Sequence, residues 1–329
     1  MSTRILVTGG AGFIGSHYVR TVLGVYGQAV PDVSVTVLDA LTYAGNPANL
    51  DEVRDHPGFT LVVGDICDTE LVAKLMAEHD QVVHFAAESH VDRSIDSGAE
   101  FVRTNVVGTH TLVAAAHLAG VQTFVHVSTD EVYGSVETGS CPETAPLNPT
   151  SPYAASKAAS DLIALSYHRT HGLDVRVTRC SNNYGHHHFP EKVIPLFITR
   201  LLDGQKVPLY GDGGNVRDWL HIDDHVQGVE LVRTAGRPGE VFNIGGGTEL
   251  SNRELTALLL EACGRDWDSV EYVTDRKGHD RRYSVDSTKI RTELGYRPRK
   301  DFRTGLAETV QWYRDNRAWW EPLKARAAL

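Results

Sequence analysis

Through its first half the chain alternates short β-branched runs with amphipathic or Ala-rich stretches, and this alternation restricts the fold more than any other feature. Strands are expected at Arg4–Thr8, Val35–Leu38, Leu61–Val63, Val82–Phe85, Thr123–Val127 and Val175–Thr178. Helical stretches such as Phe13–Tyr26, Thr104–Ala119 and Pro152–His171 lie between them. Strands that are apolar almost without a break belong to a parallel sheet covered on both faces. Right-handed crossovers then give a doubly wound, Rossmann-type α/β sheet.

The pattern changes after Arg179. Residues 180–217 are rich in Asn, His, Gly and Pro, with one helix near Val193–Leu202. Trp219–Ala235 reads as a helix, and Val241–Ile244 as a strand closed by Gly245-Gly246-Gly247. A helix at Ser251–Ala262, a strand at Val270–Val273 and a helix near Gly305–Arg317 follow. This predicts a cofactor-binding domain of residues 1–179 plus about 218–245. A smaller α/β substrate-binding lobe is expected from 180–217 plus 246–329. No internal repeat is visible.

The first strand runs into Gly9-Gly10-Ala11-Gly12-Phe13-Ile14-Gly15. In such a loop the first glycine (Gly9) makes the tight turn and the second (Gly12) lets backbone approach a pyrophosphate. The third, Gly15, lets helix pack on strand. The helix start then offers unpaired N–H groups to phosphates. Asp39 ends the second strand, where a carboxylate accepts bonds from ribose hydroxyls and repels a 2′-phosphate, favouring NAD over NADP. Asp65 and Ile66, after the third strand, are placed for the adenine edge.

Tyr153 and Lys157 are four apart in a helical stretch, so both project from one face. An ammonium beside a phenol favours the phenolate. Such a tyrosine can exchange a proton with a sugar hydroxyl during hydride transfer. Alone the spacing is common on helix surfaces, but behind a dinucleotide loop it reads as functional. Upstream, Thr123–Val127 leads into Ser128-Thr129-Asp130-Glu131-Val132-Tyr133-Gly134. A hydroxyl and two carboxylates therefore sit at the C-terminal end of a central strand, where open α/β sheets hold ligands. Adjacent carboxylates in a partly desolvated crevice can divide into one acid and one base.

At 329 residues the length suits two domains, or one with an added lobe. Acidic residues number 42 against 32 Lys and Arg, a net charge of −10, the reverse of a nucleic-acid or anionic-membrane binder. A local basic pocket for an anionic substrate is compatible with that balance. The apolar runs fall short of a membrane span, and no signal peptide is expected, since a strand-like run starts at Arg4. Cys67, Cys141, Cys180 and Cys263 are far apart with no CxxC pair, so reduced thiols and a cytoplasmic location are expected.

Together these residues resemble the extended short-chain dehydrogenase/reductase superfamily, and within it the dTDP-glucose 4,6-dehydratases. The likeness is carried by the Ser128–Gly134 run with Tyr153-Ala154-Ala155-Ser156-Lys157 and by His84–Ser94. It extends to Asn182-Asn183-Tyr184-Gly185, Phe189-Pro190-Glu191-Lys192, Tyr210-Gly211-Asp212-Gly213 and Arg276–Tyr283. It covers about Arg4 to Trp320, and the Asp130-Glu131 pair is its specific element. The resemblance implies an NAD-dependent lyase of deoxysugar biosynthesis, usually a homodimer. Tyr153, aided by Lys157, would take the 4-hydroxyl proton as hydride leaves C4 for NAD, with Thr129 on the 4-oxygen. Glu131 would remove the C5 proton and Asp130 would protonate the departing 6-hydroxyl, before hydride returns to C6.

It also implies cofactor contacts at Phe13, Ile14, Leu41, Thr42, Phe85, Ala86, Ala87, Ser89, Thr104 and Asn183. Nucleotide-sugar contacts are implied at His90, Asn182, Lys192, Val193, Arg217, Asn252, Arg276 and His279, with Pro208, Leu209 and Tyr210 as the base-binding wall. The chain departs from the family at His186-His187-His188, where Pro-Tyr-Gln is usual, which bears on how the sugar side of the pocket closes. No metal is expected, because consecutive histidines seldom converge on one ion. The i, i+4 pair His221 and His225 reads as a packed turn, and Trp312, Trp319 and Trp320 as packing. Two alternatives stand: a sugar-nucleotide 4-epimerase, against which Asp130-Glu131 argues, and a non-catalytic NAD-binding regulator, against which the intact Tyr153-Lys157 pair argues.

Overall fold

The computed structural model describes residues 2–27 and 29–327. The chain opens with β1 (Thr3–Thr8), β2 (Val33–Asp39), β3 (Phe59–Val63), β4 (Gln81–His84), β5 (Thr123–Thr129) and β6 (Val175–Cys180). Then come β7 (Asn182–Tyr184), β8 (Val207–Tyr210), β9 (Val216–His221), β10 (Val241–Ile244), β11 (Glu249–Ser251) and β12 (Val270–Val273). Seven of these form one sheet in the order β10-β6-β5-β4-β1-β2-β3. Each pair in it is parallel. This is the doubly wound sheet that the alternation predicts. The strand order reverses at β1, and ligand crevices open beside the carboxyl ends at such a point.

The sheet has apolar cores on both faces. One gathers Ile5, Val7, Tyr18, Val37, Val83, Val127, Ile222 and Phe242; the other Leu6, Leu38, Val82, Leu112, Phe124 and Val177. A third core, with Phe197, Leu209, Trp219, Leu259, Tyr313 and Trp320, sits among the two-stranded sheet β12-β8 and the three-stranded sheet β11-β9-β7. Trp320 is fully buried, and its indole N–H donates to the Tyr313 carbonyl. Ile290 and Tyr296 return to the first core of the large sheet.

Local sequence sets the helix ends. Ser151 caps the Pro152–His171 helix by accepting the Ala154 N–H, Pro152 opens it, and Gly172 ends it at φ +74°. The Asn252–Cys263 helix carries a full capping box between Ser251 and Glu254. Elsewhere tertiary pairing overrides the sequence pattern. Trp219–His221, read as the start of a helix, is strand, because it pairs with Asn182–Tyr184. The helix begins at Ile222, where the His221 ring accepts the Asp223 N–H. The first helix stops at Val22 rather than Tyr26. The Thr104–Ala119 stretch starts as a π-helix over Val102–Gly108 and becomes α-helical at Thr109. A last helix, Arg317–Ala327, follows the Phe302–Asp315 helix.

Candidate active site

One large cavity, about 520 Å³, opens where the carboxyl ends of β1, β4 and β5 meet the third core. Every site residue expected from the sequence lines it except Leu41. Leu41 packs on the sheet's core instead, and its N–H donates to Asp39 Oδ1 at 2.8 Å. The other Asp39 oxygen accepts the Ala11 N–H at 2.9 Å, so this carboxylate holds the glycine loop in place. Each oxygen keeps a second lone pair for a ribose hydroxyl.

The glycine loop is shaped by close approach. Gly9 has φ +71°, and a Cβ there would lie 2.5 Å from the Ala86 nitrogen. A Cβ on Gly15 would lie 2.3 Å from the Gly9 carbonyl oxygen. Gly12 begins the Phe13–Val22 helix with no side-chain cap, leaving the N–H groups of the first turn free of a side-chain partner. At the facing wall, Asn182 Oδ1 and Asn183 Oδ1 are buried acceptors without partners. Free helix N–H groups, an anchored carboxylate and orphaned amide oxygens fit a dinucleotide.

The reactive groups cluster at the end of β5. Thr129 Oγ1 donates to Asp130 Oδ1 at 3.2 Å and accepts the Glu131 N–H at 3.3 Å. Asp130 is 3% exposed, and its Oδ2 has no partner. Burial, then the neighbouring carboxylates of Glu131 and Asp218, push its carboxyl well above the ordinary range. Burial also raises Glu131, but three cations (Arg276, Arg217 and Lys192) pull it back. Both acids are raised, but their surroundings differ: carboxylates add to the effect of burial on Asp130, while cations oppose it on Glu131.

Tyr153 departs from expectation. Burial, and then Glu131, push its phenol well above its usual value, while Thr129 pulls it back. The Lys157 ammonium donates to the Val127 carbonyl at 2.9 Å, and burial lowers it to about 8. In this cavity, burial and the nearby carboxylates set the phenol, against the lowering that the Tyr153-Lys157 spacing predicts.

Two cations expected on the nucleotide side are fixed by backbone and ring contacts. Arg217 donates to the carbonyls of Val216 at 2.7 Å and Asp280 at 3.0 Å, and lies 4.2 Å over the Tyr283 ring. Lys192 donates to the Ser89 carbonyl at 2.6 Å. His279 bonds Asp275 at 2.6 Å. Tyr283 donates to Asp280 at 2.7 Å and stands 3.5 Å from Glu131 Oε2. Tyr283, Glu88, Arg103, Cys180 and Glu191 also line the cavity, although the sequence did not single them out. Tyr283, Glu88 and Glu191 lie within motifs that carry the family likeness, which is the available signal. Arg103 reaches the wall through the π-helix, which no pattern announced.

The histidine triplet packs beside the glycine loop, and His188 also lines the cavity. His188 stacks on Phe13 at 4.1 Å, while His186 packs near His17 and His187 on Trp312. Burial lowers His186 and His188 to about 3 and His187 to about 2. No group of three metal-ligating side chains occurs among the described residues. The four cysteines are free thiols.

A parallel sheet with this crevice, glycine loop and Tyr-Lys pair defines a dinucleotide-dependent enzyme of the extended short-chain dehydrogenase/reductase superfamily. Comparison with known proteins narrows the class. The GDP-mannose 4,6 dehydratase family profile matches residues 6–309. A dTDP-glucose 4,6-dehydratase of Streptomyces antibioticus is 67% identical over 98% of this chain and 96% of its own length. The solved structure of DesIV, a dTDP-glucose 4,6-dehydratase from Streptomyces venezuelae with NAD and TYD bound, superposes with a TM-score of 0.96 at 62% identity, covering 98% of this chain and 100% of that one. A UDP-glucose 4-epimerase from Thermotoga maritima is more distant, at TM-score 0.87 and 34% identity over 95% of this chain and 99% of that one. The chain belongs to the nucleotide-sugar 4,6-dehydratase family, among the dTDP-glucose 4,6-dehydratases.

Proposed function

We propose that this chain converts dTDP-glucose to dTDP-4-keto-6-deoxyglucose and water with a bound NAD, as a step of deoxysugar biosynthesis. The observation that carries the reading is the unequal environment of Asp130 and Glu131. An epimerase, which only oxidises and re-reduces C4, has no use for an acid beside a base. Bound NAD supplies a hydride acceptor for C4 and later the hydride donor for C6.

The chain's own groups do the rest. Tyr153 takes the proton of the 4-hydroxyl as a phenolate, a form that burial opposes and that the neighbouring positive charge of Lys157 would favour, while Thr129 holds the 4-oxygen. Lys157 supplies positive charge beneath that exchange. The 4-ketone acidifies C5–H, and Glu131 removes this proton. Asp130, kept protonated by burial, gives its proton to the 6-hydroxyl, which leaves as water. The proton on Glu131 returns to C5 as C6 is reduced. Lys192, Arg217, Arg276, His279 and Asn252 hold the diphosphate and its ribose, with Pro208, Leu209 and Tyr210 against the base. Charge-assisted bonds from fixed cations suit a diphosphate even in a chain of net charge −10.

The division of labour follows the two-part chain: residues 1–179 with about 218–245 for NAD, and 180–217 with 246–329 for the nucleotide sugar. The return of Ile290 and Tyr296 to the first core crosses that division. We assign a homodimer built on the helices around Val102–Ala119 and Pro152–His171. Their Val102, Val107, Leu118 and Leu162 side chains are 53%, 49%, 85% and 55% exposed. Free thiols and the acidic balance suit the cytoplasm. The test is incubation with dTDP-glucose and identification of the product by NMR and mass spectrometry. A 4-keto-6-deoxy sugar is expected, and dTDP-galactose would overturn the reading.

A further inference from the structure

The proposed cycle needs the reduced cofactor to stay in place between two hydride transfers. What closes the cavity is therefore part of the function. The loop after Asp39 forms one wall, Phe189–Lys192 another, and the start of the short Val91–Asp96 helix lines the cavity as well. Arg93 on that helix touches both walls from outside the cavity. Its guanidinium lies 4.0 Å over the Tyr43 ring, in the loop after Asp39. Its Nε stands 3.3 Å from Glu191 Oε2. Tyr43 in turn meets Phe189 edge to face, with ring centroids 5.6 Å apart. Arg93 also donates to the Arg326 carbonyl of the last helix at 3.4 Å.

Two neighbouring contacts run in the same direction. Ser89 accepts Lys192, and Asp92 faces Arg276 at 3.8 Å. The Ser89–Arg93 stretch thus reaches the nucleotide-sugar side three times within five residues. Glu191 is a costly partner for a merely stabilising contact. Its side chain is 3% exposed, and neither its Oε2 nor Arg93 Nε completes a hydrogen bond. A pair with its carboxylate buried and its guanidinium a quarter exposed adds little net stability, and its best-attested use is fixing an arrangement. Arginine suits the position because a planar guanidinium stacks on a ring while facing a carboxylate.

We propose that Arg93, stacked on Tyr43 and paired with Glu191, is a positioning residue that clasps the Asp39 loop to the Phe189–Lys192 wall and so retains the dinucleotide through the reaction. The proposal rests on the reading of this chain as an NAD-retaining dehydratase. The test loads the purified protein with isotopically labelled NAD and follows its exchange against excess unlabelled NAD, without sugar present. Arg93→Met is expected to exchange at least about tenfold faster than the parent, the range of a contact worth ~1.4 kcal/mol. Its turnover becomes dependent on added NAD, and kcat at saturating NAD recovers to within about threefold. Arg93→Lys keeps the charge but not the planar stack, and falls between the two. Tyr43→Ala, in a surface loop, repeats the effect where Arg93→Met disturbs folding. Parental exchange rates in folded Arg93→Met and Tyr43→Ala would overturn the clasp, as would a parent that exchanges NAD faster than it turns over. A parent that binds no NAD would overturn the underlying reading instead.

Discussion

The two halves of the cavity are built by different means. On the cofactor side, backbone does most of the shaping. Gly9 and Gly15 are places where a Cβ would strike main chain, and Asp39 serves first as an anchor for two backbone N–H groups. On the proposed nucleotide-sugar side, the long cationic side chains of Lys192 and Arg217 come from separate segments, steadied by carbonyls and a ring. A backbone-built site tolerates little change and fails as a whole. A side-chain-built site loses affinity contact by contact.

The sharpest way to break this comparison is Gly15→Ala. The added Cβ meets main-chain atoms that cannot rotate away, so the loop and the packing beneath it must shift. Loss of retained NAD and of at least about 100-fold in turnover is expected, with a clear fall in Tm. Retained NAD, measured by absorbance after denaturation, checks this.

Glu131→Gln tests the chemistry between the two halves. The first oxidation survives, but removal of the C5 proton does not. A fall in kcat of about 100- to 10,000-fold is expected, with reduced cofactor building up at 340 nm under single turnover. Loss of rate without that absorbance would move the role of Glu131 to the first step.

Arg217→Lys addresses the nucleotide side. Lysine keeps the charge but loses the two-carbonyl seat and the stack on Tyr283. KM for dTDP-glucose should rise by about tenfold, with kcat within about threefold. An equal fall in kcat would mean that Arg217 acts on the reacting end.

The pH profile comes next in size. Glu131 must be ionised and Lys157 charged. Burial raises Glu131, so the rate falls as pH drops through its raised value. Burial lowers Lys157 to about 8, so the rate also falls as pH rises through that point. A bell-shaped kcat/KM with its alkaline limb near 8 is expected. A flat profile up to pH 10 would contradict the role given to Lys157.

The smallest effect on catalysis should come from Leu118→Glu. Leu118 is 85% exposed on the proposed dimer face. A shift from dimer to monomer on size exclusion is expected, with kcat within about twofold. An unchanged dimer would place the interface elsewhere.

The same contrast explains what could be read from the sequence. The glycine loop, Asp39 and the Tyr153-Lys157 pair sit at fixed offsets from strands and helix starts, so local pattern announces them. The parallel sheet follows from continuous apolar runs. The second lobe was harder. Strands β7 and β11 have three residues each, and β9 mixes Arg, Asp and His with Val, Trp and Leu, so only pairing marks Trp219–His221 as strand. Arg93 and Tyr283 gain their meaning from partners far away in sequence, Tyr43 and Glu191 for the first, Glu131 and Arg217 for the second. The phenol of Tyr153 shows a further limit. Spacing places Lys157 nearby, but only burial decides which influence on the hydroxyl prevails.

The most direct test of the central claim, an internal redox cycle on retained NAD, follows one hydride. Purified protein, without added NAD, would receive an equal mixture of dTDP-glucose deuterated at C4 and unlabelled substrate carrying a carbon-13 ring. The account predicts deuterium at C6 of the product, confined to molecules without the carbon-13 ring. Deuterium spread over both populations would show that hydride passes between molecules, and label remaining at C4 would mean that no dehydration cycle takes place.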